Sequence, residues 1–97
     1  MGLVAIAHFE LHIPHARSLK DKRKVVRSLV DRVHRKYRIS IAETEHHDRH
    51  QLAGLTLASV GNSDRELERQ LDDLRSSIEL DSGALLTSWE TETVELS

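Results

Sequence analysis

Residues 3–13 alternate without a break. Leu3, Ala5, Ala7, Phe9, Leu11 and Ile13 point to one side, and Val4, Ile6, His8, Glu10 and His12 to the other, which is the period of a strand with one wholly apolar face. Pro14 has no N–H to give a ladder and closes the strand. The period then lengthens. Ser18 and Asp21 form an S-x-x-D start signal, in which the hydroxyl accepts from an early helical N–H and the carboxylate reaches back. Leu19, Val25, Val26, Leu29, Val30, Val33 and Tyr37 share one broad stripe, predicting a helix to about Tyr37 with Lys20, Arg23, Lys24, Arg27 and Arg35 on the opposite arc. Lys22 falls on the apolar side. Its methylene stem is expected to lie over the sheet edge, with the ammonium emerging beside Ser18.

Residues 39–46 read as a short strand of mixed polarity, suited to an edge, and His47-Asp48-Arg49-His50 as the loop after it. A third strand is expected over 51–60, with a bulge or a close approach at Gly54. Ser63 and Glu66 give a second capping signal. Leu67, Leu71, Leu74 and Ile78 then mark a narrow stripe on a helix ending near Asp81-Ser82-Gly83, and residues 84–96 form a last, threonine-rich strand with Trp89 as its one large side chain. The order strand, helix, strand, strand, helix, strand predicts an α+β fold. It is the split βαβ arrangement, a four-stranded antiparallel sheet in spatial order 4-1-3-2 with two helices on one face. The 97 residues are enough for a single domain over 1–97 and for one core.

Charge adds a second layer to this picture. Residues 17–38 hold ten of the 14 Lys and Arg against two acids, whereas residues 62–97 hold ten of the 16 acids against three Arg. A net charge of -2 therefore hides a chain with one basic and one acidic end. The basic block opens a helix, where the dipole favours anions and each exposed cation costs about 0.3 to 1 kcal/mol. Arg32, Lys36 and Arg38 sit at the far end, where cations suit the dipole. The absence of cysteine excludes a disulfide framework, a thiolate zinc site and a cysteine nucleophile, and agrees with a cytoplasmic protein. The apolar start, Gly2 to Ala7, lacks a basic lead-in and turns polar at His8 and Glu10, so neither a signal peptide nor a membrane span is expected.

The stretch Ser18-Leu19-Lys20-Asp21-Lys22-Arg23, followed by Ser40-Ile41-Ala42-Glu43, Asp48 and the Gly54 strand, resembles the YlxP-like family of small bacterial proteins of unassigned function. The likeness spans nearly the whole chain. It implies a ferredoxin-like fold and a gene set beside translation and ribosome-maturation factors, and it implies no activity. After Asp48 the family has a bulky aromatic where this chain has Arg49-His50, so a role tied to that aromatic does not carry over.

The chemistry-bearing residues point to binding rather than turnover. His8 and His12 share a strand face but lie ~13 Å apart along it, too far to hold one ion, so a metal site would need His46 or His50 to meet one of them. Solvent-facing or interface histidines are expected instead. Glu43, Glu45 and Asp48 cluster in sequence without a nucleophile elbow, a phosphate loop or a metalloprotease motif. No enzyme, cofactor or metal is expected. The chain has only three aromatic side chains, Phe9, Tyr37 and Trp89, with Phe9 in the core, which disfavours base stacking on the open sheet face.

Two functions follow. In the first, Ser18, Lys20, Lys22, Arg23, Lys24 and Arg27 hold phosphates of RNA or ribosomal particles through cations and free helix N–H groups. In the alternative, the chain is a protein-interaction module that self-associates as a homodimer, because Val4 and Ile6 leave apolar surface on the outer sheet face.

Overall fold

The alternation of the first strand becomes a division between core and open face. In a computed structural model that describes residues 2–81 and 83–96, β1 spans Gly2–His12, with Ala5, Ala7, Phe9 and Leu11 fully buried and Val4, Ile6, His8, Glu10 and His12 half-buried. α1 (Leu19–Tyr37), β2 (Ser40–Glu45), β3 (Leu52–Gly61), α2 (Asp64–Asp81) and β4 (Leu85–Leu96) follow in the expected order. The sheet runs β2-β3-β1-β4 with every pairing antiparallel, which is the order 4-1-3-2 read from the other edge. The most apolar strands, β1 and β3, are therefore central. Ser82, named above in the end of the second helix, lies outside the described residues, as do Met1 and Ser97. α2 ends at Asp81, and Gly83 follows with φ 70.

Both helices cover the same face. Val26, Leu29 and Val33 of α1 and Leu67, Leu71, Leu74 and Ile78 of α2 join Phe9, Leu11, Leu55 and Leu57 of the sheet in one core. α1 lies over β2 and β3, and α2 over β3, β1 and β4. Ser59, a buried hydroxyl on the core face, donates to Gln70 of α2. Trp89 of β4 lies beside Phe9 with ring centroids 5.3 Å apart, and the Arg75 guanidinium of α2 lies over the Trp89 ring at 5.9 Å.

One register shift decides what the open face carries. Between Glu43 and Glu45 the β2–β3 pairing slips, so that Glu43 stands opposite Leu55 and Glu45 opposite Gly54. The extra residue belongs to β2, and Gly54 supplies the close approach. A Cβ at Gly54 would come within 2.8 Å of the Glu45 Cβ, so a side chain there would push β2 away. Strict alternation would put Glu43 and Glu45 on one face. The bulge turns them apart, Glu43 toward the helices and Glu45 toward His8.

Truncating either Phe9 or Leu29 to alanine should cost about 2 to 5 kcal/mol, because each empties a site in the shared core. Urea denaturation reads this directly, and unchanged midpoints for both variants would contradict the packing.

Candidate nucleic-acid interface

The helix start is built as its sequence demands. Ser18 takes an extended backbone, and its hydroxyl accepts from the Asp21 N–H at 3.1 Å. The Asp21 carboxylate accepts from the Arg17 N–H at 2.9 Å. The cap thus uses a donor that an incoming anion would need and sets a carboxylate in the first turn, which answers part of the dipole mismatch. Ser18 is a capping residue, and the early N–H groups are not all left free.

Lys22 departs from the expectation. Its side chain is 1% exposed, and its ammonium does not emerge beside Ser18. It turns into the sheet, where Nζ meets Glu43 Oε2 at 2.8 Å and donates to the backbone carbonyls of His46 at 2.8 Å and Leu52 at 3.2 Å. Two of its N–H bonds thus find carbonyl oxygens, and the contact with Glu43 is an ion pair. Glu43 Oε2 is closed off from solvent and has no aligned hydrogen-bond donor, so the ammonium charge itself is its partner. The reason lies in the period, since positions 22, 26, 29 and 33 are the four buried positions of α1. Lys22 has no ammonium to offer a phosphate.

The other cations of the stretch stay outside. Lys20, Arg23, Lys24 and Arg27, joined by Arg35, line a shallow concavity of about 530 Å³ on the outer face of α1, with Ser28 and Asp31 in its floor. Among the described residues none of these five cations makes an ion pair with a carboxylate of the chain. At 1.5 Å per residue the stripe from Lys20 to Arg35 is about 22 Å long. Beyond it the helix is neutralised. Lys36 lies 3.9 Å from Asp73 of α2 and over the Tyr37 ring, and the Tyr37 hydroxyl donates to Asp73 at 2.5 Å. Arg38 caps the helix in the left-handed region, with its N–H on the His34 carbonyl.

On the open face the histidines pair with glutamates. His8 Nε2 meets Glu45 at 3.0 Å, and its Nδ1 meets the Thr56 hydroxyl at 2.9 Å, which in turn bonds Thr44 at 2.7 Å. His46, held at φ 64, meets Glu10 at 2.5 Å. Carboxylate, imidazole and hydroxyl in series invite comparison with a nucleophile relay. Thr56, however, is paired on both sides within a central strand, so its neighbouring N–H groups are committed to the ladder. Among the described residues no group of three or more His, Asp or Glu is placed to hold a metal ion. The reading of spacing missed these pairs because the bulge that brings Glu45 across leaves no periodic trace. No aromatic ring lies on this face among the described residues, since Phe9 is buried, Trp89 packs beside it and Tyr37 is on α1. At one end of the face Val4 stands in a row between Val60 and Val94.

Three comparisons place the chain among known proteins. The family model described as Protein of unknown function (DUF503) matches residues 4–91. The chain is 32% identical over 91 residues to a Bacillus subtilis (strain 168) protein described as uncharacterized protein YlxP, covering 90% of this chain and 99% of that one. Among solved structures it is similar to the de novo designed protein Foldit4, with a TM-score of 0.56, 12% identity and 100% of each chain covered. That likeness concerns the fold alone. A dimeric protein of unknown function and ferredoxin-like fold from Bacteroides fragilis NCTC 9343 gives a TM-score of 0.48 at 12% identity, over 98% of this chain and 96% of that one. No helix among the described residues is long and apolar enough to cross a membrane.

Lys22→Met should cost about 3 to 5 kcal/mol, because it leaves the Glu43 charge without its partner, whereas the paired change Lys22→Met with Glu43→Leu should recover most of that loss. Equal midpoints for the single and double variants in guanidinium denaturation would show that the charge pair is not what matters. Tyr37 gives a second test. Partial burial, and then the bond to Asp73, raises its phenol above the ordinary value of 10.0. With the folded value above the unfolded one, its contribution to stability is present below about pH 10 and is lost as the pH rises through the raised value. As the only tyrosine, it can be titrated by ultraviolet absorbance, and Asp73→Asn should move it part of the way back.

Proposed function

The chain belongs to the DUF503 family of proteins of unknown function, and from that premise we propose a non-enzymatic, cytoplasmic RNA-binding protein that holds the phosphate backbone of ribosomal RNA on the outer face of α1. One observation carries the reading: Lys20, Arg23, Lys24, Arg27 and Arg35 share one helix face and, among the described residues, none of them is in ion-pair contact with a carboxylate. Elsewhere the helix neutralises or buries its cations, through Glu43 for Lys22 and Asp73 for Lys36. A stripe of long, mobile cations suits phosphates, which position a nucleic acid without reading its sequence. The open sheet face, without aromatics, offers no platform for stacked bases. The acidic faces of α2 and β4 repel polyanions and confine the contact to α1. The ribosomal setting comes from the gene neighbourhood that the family resemblance implies, and no cofactor or small-molecule substrate enters this reading.

Electrophoretic mobility with ribosomal RNA across a salt series is the test. Affinity should fall with salt at a slope of about -0.7 to -0.9 per phosphate neutralised. The triple variant Lys20→Gln, Arg23→Gln, Lys24→Gln should lower that slope by about one unit per cation removed, with little dependence on RNA sequence. A triple variant that binds as wild type does at low and moderate salt would end the proposal.

A further inference from the structure

The edge of the sheet carries a pattern that the RNA reading does not use. β4 is an edge strand, paired only with β1, with a bulge at Thr87, where Glu10 faces Ser88 and Leu11 faces Leu86, so beyond that bulge every second residue turns its N–H and C=O outward to Leu96. Proteins guard such edges with lysine, proline or bulges. Within residues 90–96 there is no proline and no lysine, and the only charges are Glu90, Glu92 and Glu95. Val94 and Leu96 are exposed here, at 43% and 71%, as is Val60 of β3 at 77%.

We propose that β4 pairs antiparallel with β4 of a second copy, centred on Val94, to form a continuous eight-stranded sheet. The glutamates choose the register. If the helices of both copies lie on one side, pairing centred on Glu90, Thr91, Glu92 or Glu95 sets glutamate against glutamate, which is unfavourable directly across strands. Pairing centred on Thr93 sets each Val94 against Glu92. Pairing centred on Val94 sets it against its own copy, with Glu92 opposite Leu96 and Glu95 opposite Thr93. In that register no like charges face each other. The row Val60, Val4, Val94, already aligned across three strands, then continues through the second copy as six valines. A face-to-face dimer through Val4 and Ile6 would instead bring together two faces that carry Glu10, Glu45, Glu90 and Glu92.

The chain contains no cysteine, which makes the register directly readable. Residues opposite each other on antiparallel strands have Cα atoms about 4.5 to 5.5 Å apart, within disulfide range, whereas a shift of two residues exceeds it. Under mild oxidation at high micromolar concentration, Val94→Cys should convert to a covalent dimer. Thr93→Cys, Glu92→Cys and Val4→Cys should stay largely monomeric. Sedimentation should show wild type dimerising and Val94→Lys losing the dimer, with an unchanged circular dichroism spectrum and a melting temperature that no longer rises with protein concentration. A wild type that stays monomeric, or cross-linking that is faster at Thr93→Cys, Glu92→Cys or Val4→Cys, would overturn the proposal. Neither measurement involves RNA, so the outcome is independent of the role given to α1.

Discussion

A buried ammonium fixes how α1 sits on the sheet. Lys22 occupies a core position of the helix and ends on Glu43, the His46 carbonyl and the Leu52 carbonyl, so it ties the helix start to both ends of the β2–β3 connection. A buried charge with fewer oxygens around it would be strongly destabilising, and the pair contributes little net stability over a well-packed apolar substitute. Its effect is on geometry. Turning the helix by one residue, about 100°, would strand the ammonium and the Glu43 carboxylate together. With that rotation excluded, Lys20, Arg23, Lys24 and Arg27 have only solvent to face. Alternate positions of one short basic stretch thus serve opposite ends, one holding the fold and the rest left for an anion.

The same economy of charge runs through the second layer. α1 is basic and α2 acidic, and at one meeting point Asp73 accepts from Tyr37 and faces Lys36. At the other end of α1, Ser18 and Asp21 close the cap. The helix is therefore compensated at both ends, and its uncompensated charge is concentrated along the outer face between them. The open side of the sheet is different in kind, with His8 and His46 matched to Glu45 and Glu10 and the valine row beside β4.

Much of this was legible because short-range periods report it. The alternation from Leu3 to Ile13, the stripe through Val26, Leu29 and Val33, and the serines at positions 18 and 63 each express a local geometric rule, and together they determine the element order and strand order. Lys22 was half legible. Its place on the apolar side follows from the wheel, but its partners lie in residues far along the chain, and the reading that long side chains reach back to solvent sent the ammonium the wrong way. The bulge at Glu43 and Glu45 was hidden for a related reason. Gly54 marked a close approach, but which strand carried the extra residue depends on how two strands meet. The histidine pairs rest on that choice, and so they too were out of reach.

The division of labour within the basic stretch can be read from the four lysines, at positions 20, 22, 24 and 36, by amine acetylation of the folded protein followed by mass spectrometry, with and without ribosomal RNA. Lys22 should resist labelling in both states. Lys20 and Lys24 should label readily in the free protein and become protected by RNA, while Lys36, held near Asp73, should label equally in both. Rapid labelling of Lys22 in the folded protein, or Lys20 and Lys24 left as reactive with RNA bound as without it, would contradict the account.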